Sequence, residues 1–387
     1  MTSADVRLNP HTLDAIGRGR TKRILYLVTD AFGGYGGIAL YNRDFLEALC
    51  SYGDALEVVA LPRVVSDTMQ ALPHRLTYDT SGLGGKGRYA KAVLRRLWCD
   101  TRFDLIVCAH INLLPLAFLA SRLSRAPLVM LLYGIEAWSP TPSALSNYLV
   151  RKVMSDAAIS EVTQRRYRSW ARTRAKGYIL PNAIRLEDYA MGAPDPNLER
   201  AYGLEGRTVL MTLGRLVAVE RQKGFDEVVD VLPQLAKDIP DVLYLIVGEG
   251  PDRARLEQRA REKGVGDRVV FTGFVPEEQK AALYRSADAY VMPSRGEGFG
   301  FVVLEALATG VPAVGSTLDG TREALRDGML GSLVDPGDAN ALRAAIAEAV
   351  RKPKQIPIGL EYFSFANFEK RVHVMLADWL SVTRSSR

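Results

Sequence analysis

The architecture this 387-residue sequence predicts is an α/β fold in two parallel-sheet domains, and three observations point to it. Short runs rich in Val, Ile and Leu alternate with stretches of helical periodicity almost from end to end. Those runs lack polar alternation, the habit of strands that helices cover on both faces. The alternation lapses once, between 182 and 206, where MGAPDPN (191–197) brings Gly, two Pro and Asn together in the manner of a linker.

Taken in chain order, strands are expected at 23–29, 57–60, 104–109, 127–132, 157–160 and 177–180, then at 208–213, 242–247, 269–272, 289–292, 311–314 and 332–334. Helices fill the intervals; after 224, Phe225, Val228, Val229, Leu232 and Leu235 recur at helical spacing. The expected organisation is a leader at 1–20, a first domain at 21–190, a linker at 191–205 and a second domain at 206–360, with a cleft between the domains. A terminal helix in 361–387 either completes the second domain or crosses back to the first.

Composition narrows the class. With 48% apolar and 24% charged residues, collagen-like, disulfide-scaffold and wholly disordered chains are excluded. Cys50, Cys99 and Cys108 follow no metal or redox spacing, which suits a reduced compartment. The first twenty residues hold no apolar signal core, and the apolar stretches 105–123 and 127–135 are interrupted by His110, Asn112, Pro115 and Gly134. A cytoplasmic protein is therefore expected.

Charge is uneven: residues 1–200 carry 26 basic and 18 acidic side chains, residues 201–387 carry 24 and 26. That points to an anionic partner or surface for the first half. Within it, cations and an apolar stripe (Tyr89, Val93, Leu97) share helical spacing over 86–98, and a second basic cluster spans 165–176. Solvated helix faces are one reading. Peripheral docking on an anionic membrane surface, at its inner face, is the other. Nucleic acid is not an expected partner, because no recognised binding module appears and the second half is net acidic.

Several turns carry chemistry. The first strand runs into Asp30-Ala31-Phe32-Gly33-Gly34-Tyr35-Gly36-Gly37 before a helix opens. Gly34, Gly36 and Gly37 let backbone approach a phosphate or an acceptor, with a merely tight turn as the alternative. The G-x-G-x-x-G spacing is not met and no acidic residue clearly follows the second strand, which argues against a nicotinamide-dependent oxidoreductase. In the second half, Gly214-Arg215 follows a strand and Lys223-Gly224 precedes a helix. Two cations so placed converge on one anion at the carboxyl edge of a parallel sheet. Gly248-Glu249-Gly250-Pro251 forms another strand-to-helix turn, and the run Pro293 to Ala306 contains a third, with Glu297 in the turn and Glu305 eight residues on. Carboxylates there suit sugar hydroxyls, with amides and cations holding phosphates between them.

Together Gly214-Arg215…Lys223-Gly224, Gly248-Glu249-Gly250 and the Glu297…Glu305 pair resemble glycosyltransferase family 4 of the GT-B fold, over essentially all of residues 205–350. The first half is similar more diffusely, through its Gly-rich loop and Pro181-Asn182. The resemblance implies two Rossmann-like domains facing each other across a cleft. It also implies a retaining, metal-independent hexosyltransferase that uses a nucleotide-diphosphate sugar as co-substrate, with no cofactor. Arg215 and Lys223 match the pair that grips the donor diphosphate and stabilises the leaving group. Glu305 matches the ribose-binding carboxylate. Glu297, with the amides of Gly298, Phe299 and Gly300, matches the donor-sugar side, and Gly214, Gly248, Glu249 and Gly250 line the donor. No D-x-D element is present, so positive side chains are expected to neutralise the diphosphate. Where members commonly carry a sugar-facing His, this chain has Tyr133, in Leu132-Tyr133-Gly134-Ile135-Glu136, with His110 ending the preceding strand. Tyr133 or His110 is expected to take that role, and Glu136 either joins them or caps its loop. The expected acceptor is a lipid-linked, surface-polysaccharide or glycolipid saccharide. A soluble small-molecule or natural-product acceptor and a catalytically silent nucleotide-sugar-binding protein are the alternatives.

Overall fold

The computed structural model describes residues 20–100 and 102–381, and apart from Arg20 the expected leader lies outside the described residues. The chain divides into two units. Unit 1 takes the chain up to Ala183 and resumes at Phe365, and unit 2 is Ile184–Ser364.

Unit 1 holds seven parallel strands: β1 (Lys22–Val28), β2 (Leu56–Pro62), β3 (Leu76–Tyr78), β4 (Leu105–Ala109), β5 (Leu128–Leu132), β6 (Ser155–Ala158) and β7 (Lys176–Ile179), in the order β3-β2-β1-β4-β5-β6-β7. Side chains alternate across the sheet, so β1 serves two layers. Leu25 and Leu27 pack with Tyr89, Val93, Leu114 and Tyr167 from helices Lys86–Cys99, Leu114–Ser124 and Glu161–Ala171. Tyr26 points the other way, against Phe45 of helix Gly37–Cys50. That layer is closed by helix Phe365–Ser381, whose Phe368 meets Tyr41 edge-on at 5.5 Å and whose Trp379 donates to Ser155 Oγ at 3.0 Å. The terminal helix thus crosses back to unit 1. Fully burying each large apolar side chain in such layers is worth about 1.5–3 kcal/mol.

Unit 2 repeats the plan with β8 (Thr208–Leu213), β9 (Val242–Val247), β10 (Val269–Phe271), β11 (Ala289–Val291), β12 (Ala313–Ser316) and β13 (Ser332–Val334), ordered β10-β9-β8-β11-β12-β13. β12 starts at Ala313 rather than 311, since Pro312 has no N–H for a ladder. The expected linker at 191–205 is instead part of unit 2 and holds helix Pro196–Tyr202. Its Pro and Gly are helix punctuation: Asp195 caps the N-terminus by accepting from Asn197 N at 2.8 Å, Pro196 takes the first turn, and Gly203 ends the helix at φ 65°.

In both sheets the first strand lies inside the order, and the chain goes out to one side before returning to the other. The carboxyl edges of β1/β4 and of β8/β11 are therefore the points where loops diverge and leave a crevice for a ligand.

Candidate functional site

At the carboxyl edge of unit 2, three loops are laced by backbone. Gly214 N donates to Val247 O at 2.9 Å, Leu216 N to Glu249 O at 2.9 Å, and Gly248 N to Gly273 O at 3.1 Å. Gly248 and Gly250 have φ of +130° and +150°, and a Cβ on them would lie 2.1 Å from Gly214 O and 2.2 Å from Leu216 O. Only glycine permits this approach. These two residues shape the loop edge, and the Glu249 side chain between them is exposed.

The lacing presents four charged groups. Arg215, mostly exposed, hydrogen-bonds through its guanidinium to Glu220, which is buried in the turn Ala218–Lys223. The ammonium of Lys223 sits 3.2 Å from Glu220 Oε2 and 3.7 Å from Glu297 Oε2. Burial alone would lower the Lys223 pKa, but Glu297 and Glu220 outweigh it and raise the pKa above its usual value. Lys223 is thus a cation at neutral pH. The segment is pinned by Gly224, where a Cβ would lie 2.7 Å from Pro293 Cδ, and by Arg295 N donating to Gln222 O at 2.7 Å.

Glu297 is held in turn by Asp319. This buried carboxylate accepts from Ser294 Oγ at 2.6 Å and from Glu297 N at 2.8 Å through one oxygen, and from Thr321 N at 3.1 Å and Thr321 Oγ1 at 2.8 Å through the other. Burial raises its pKa, against the lowering effect of those bonds. Glu297 Oε1 accepts from Gly298 N at 3.1 Å, Phe299 is buried, and Gly300 takes φ +94° to open helix Phe301–Ala308. Glu305 lies within that helix, 1% exposed, with Tyr189 Oη donating to one oxygen at 2.8 Å and Tyr284 Oη to the other at 2.6 Å. Burial pushes its pKa up. Each carboxylate oxygen keeps a second lone pair for a further donor. Unit 2 thus brings Arg215, Lys223 and Glu297 into one cluster, with Glu305 in the helix that leaves the Glu297 turn.

In unit 1, Gly34, Gly36 and Gly37 follow β1. A Cβ at Gly34 would lie 2.1 Å from Asp30 Oδ2, whereas Gly36 and Gly37 face open space at the start of helix Gly37–Cys50. His110 ends the adjacent β4, and its Nδ1 accepts from Asn112 N at 3.1 Å, which leaves the ring hydrogen on Nε2. Burial, with Arg63 as the smaller cause, takes its pKa down to about 4, so the imidazole is neutral at pH 7. It is a hydrogen-bond donor there, not a charge.

Tyr133 corrects its expectation. Its hydroxyl is buried in the unit 1 core and donates to Asn42 Oδ1 at 2.6 Å, beside the Tyr26 hydroxyl at 2.7 Å from the same oxygen. A strand-end position does not set which way a side chain turns, and this ring packs edge-on to Tyr41 at 5.4 Å. Glu136 serves its own loop, accepting from Tyr133 N at 2.6 Å and Gly134 N at 3.2 Å.

Residues 196–356 match the family model described as glycosyl transferases group 1. A GDP-mannose-dependent alpha-(1-6)-phosphatidylinositol monomannoside mannosyltransferase of Mycolicibacterium smegmatis is 32% identical over 296 residues, 70% of this chain and 75% of that protein. The chain belongs to this glycosyltransferase family. A phosphatidyl-myo-inositol mannosyltransferase of Mycobacterium leprae is 31% identical over 332 residues, 82% of this chain and 84% of its own. Among solved structures, Anabaena HepE in complex with UDP superposes with a TM-score of 0.68 at 21% identity, covering 94% of this chain and 100% of that one. The lipopolysaccharide outer core galactosyltransferase WaaB reaches 0.67 at 18% identity, covering 92% and 99%. The glycosyltransferase has the GT-B fold.

Two residues of this glycosyltransferase escape a sequence reading. Glu220 stands in the charged run Glu220-Arg221-Gln222-Lys223, which looks like a solvated surface; its signal was its place between the two singled-out cations. Asp319 offers no local signal, since its partners lie more than twenty residues earlier as well as two residues later.

Proposed function

We propose that this glycosyltransferase moves a mannosyl group, with retention of anomeric configuration, from GDP-mannose to a phosphatidylinositol-type glycolipid. The observation that carries the reading is the cluster at the β8/β11 edge, where Arg215 and Lys223 stand beside Glu220 and Glu297. Two cations and two carboxylates sum to zero, so the cluster is stable empty and can hand both cations to an arriving diphosphate. Arg215 and Lys223 neutralise the diphosphate and the charge that develops on it as the glycosidic bond breaks. Glu297, held by Asp319, takes the donor-sugar side. Glu305 offers its remaining lone pairs to the ribose, and Tyr189 and Tyr284 fix its orientation. No metal is assigned a part, because the sequence holds no D-x-D element.

Unit 1 receives the acceptor. His110 presents its Nε2 hydrogen as a donor to a sugar hydroxyl, and Gly36 and Gly37 leave room for phosphate at a helix N-terminus. The donor and acceptor identities come from the names of the mycobacterial relatives, whose lipid acceptors favour a glycolipid over a soluble compound. The enzyme would then work peripherally, on a membrane's cytoplasmic face.

The test is thermal stabilisation by GDP, UDP and their hexose conjugates, with and without chelator, followed by product analysis with phosphatidylinositol. Ligand at about 100 times its dissociation constant adds about 2.7 kcal/mol of stability. Stabilisation by GDP-mannose that survives chelator, with a mannosylated lipid product, is expected. Stabilisation by no nucleotide sugar would overturn the transferase chemistry assigned to this cluster, and stabilisation by UDP-sugars alone would overturn the donor.

A further inference from the structure

We propose that Asp252 is a positioning residue for the diphosphate pair, strapping the segment 216–226, which carries Glu220 and Lys223, to the start of helix Arg253–Glu262. Three attachments spread along that segment converge there. At its beginning, Asp252 N donates to Leu216 O at 2.9 Å. In its middle, the Arg221 guanidinium lies across the Asp252 carboxylate, with Nε 3.0 and 3.1 Å from the two oxygens and a terminal nitrogen 2.6 Å from Oδ1. At its end, Arg255 joins Asp252 Oδ2, at 2.9 Å, to Asp226, whose two oxygens it meets at 2.9 and 2.8 Å. Asp226 opens the first turn of helix Phe225–Asp238, just beyond Lys223-Gly224.

The plainer account of Asp252 is that it caps its own helix. An Asp in that place ordinarily turns its carboxylate back to the amides of the first helical turn. This one makes no such bond. Its side chain is 7% exposed, and both oxygens face Arg221, which is 31 residues back, and Arg255. Burial alone would raise its pKa, but hydrogen bonds from Arg255 and Arg221 outweigh it and lower the pKa, so the charge is kept. The other ion pairs of this helix differ in kind. Arg253 with Glu257, and Arg259 and Lys263 with Asp230, join side chains that are all at least 32% exposed, where water screens the attraction.

The turn Ala218–Lys223 needs such a strap. The pins at Gln222 and Gly224 hold its far end. Its first half stands in solvent, with Ala218 and Val219 exposed, and the backbone leaves helical geometry at Glu220, φ −116° and ψ 16°. Glu220 is the common partner of Arg215 and Lys223, and Arg221 is the next residue. Fixing Arg221 fixes the direction of Glu220, and with it the spacing of the two cations. A clamp already formed when the diphosphate arrives avoids the entropy cost of ordering it then. The assignment rests on the transferase reading, which supplies the purpose of the held turn.

The experiment titrates GDP into the full chain carrying Asp252→Asn or Arg221→Gln, alone, together and each with Lys223→Met, and follows amide hydrogen exchange over residues 217–224. Charge makes the sign informative. Asp252→Asn removes a negative charge beside the turn, and by Coulomb attraction alone a diphosphate would then bind more tightly. A positioning role gives the opposite: about tenfold weaker GDP binding and about tenfold faster exchange in the turn, with Arg221→Gln behaving alike. The two substitutions together weaken binding no more than one does, because both cut the same strap. In the Lys223→Met background Asp252→Asn weakens binding by less than about threefold, since the group it positions is gone. Arg221→Gln leaves Arg255 joined to Asp252 and Asp226, so it reads the strap even where Asp252→Asn lowers stability. Tighter or unchanged GDP binding in Asp252→Asn, additive losses in the double variants, or unaltered exchange would each overturn the proposal. Faster exchange in the variants of a wild type that binds no nucleotide would show the strap while overturning the transferase reading and, with it, the purpose given to Asp252.

Discussion

Lys223→Met tests the charge cluster most directly, because it keeps the apolar stem and removes only the ammonium. In the wild type Arg215, Lys223, Glu220 and Glu297 sum to zero, with Lys223 Nζ at 3.2 and 3.7 Å from the two carboxylates. The variant leaves a net charge of −1 at the proposed diphosphate site. At an effective dielectric of about 20, one unit charge about 5 Å from the diphosphate is worth about 3 kcal/mol, or about 10²-fold. Much of that loss belongs to the bond-breaking step, where charge on the leaving diphosphate is greatest, so kcat falls more than KM rises. The variant also loses about 2 kcal/mol of stability, since Glu220 retains Arg215 but Glu297 loses its cation. The assay is steady-state transfer from GDP-mannose, with GDP affinity by titration calorimetry and denaturant unfolding as the control for folding. A kcat within threefold of wild type and unchanged GDP affinity would refute the assignment of Lys223 to the diphosphate.

The remaining predictions address the groups around it. Glu220→Gln leaves the cluster at +1, so GDP binds about fivefold or more tighter while turnover drops, because two cations lose their common anchor; calorimetry and initial rates read both, and weaker GDP binding would count against the role. Tyr133→Phe removes one buried hydrogen bond and costs about 1 kcal/mol in denaturant unfolding, with kcat within twofold of wild type; a large loss of turnover would restore the side chain to the site. His110 has its folded pKa lowered to about 4 from 6.5, so the unfolded chain binds the extra proton between those values. Stability therefore falls as pH drops from 6.5 towards 4, and His110→Gln flattens that part of a urea-midpoint profile; an unchanged slope would contradict the shift.

The fold was legible wherever burial on both faces wrote itself as an apolar run, as in Val242–Val247 of β9. It was less so where polar residues enter a strand. β6 opens two residues earlier than expected because Ser155 and Asp156 are buried there, Asp156 with Arg168 as its partner. β3 was missed: its three residues, Leu76 to Tyr78, follow Pro73 and His74 and offer no run to read. In the site, the glycines and cations beside strand ends were legible because position on the chain implies position on the sheet edge. Direction was not. Tyr133 and His110 end neighbouring parts of one sheet, yet one hydroxyl turns inward to Asn42 while the other ring caps its own loop. Partners distant in the chain were equally hidden, as with Tyr189 and Glu305, 116 residues apart.

The return of helix Phe365–Ser381 to unit 1 imposes an order on synthesis. Unit 2 is continuous, so it can complete its core once Ser364 has left the ribosome. Unit 1 is begun first and finished last. Until the final helix emerges, Tyr41, Phe45 and Ser155 lack Phe368 and Trp379, and the layer begun by helix Gly37–Cys50 is only partly covered. A nascent chain stalled anywhere in unit 2 therefore carries an open apolar surface upstream, a natural client for chaperones, and a stop codon that removes only the last helix would cripple the first domain while sparing the second.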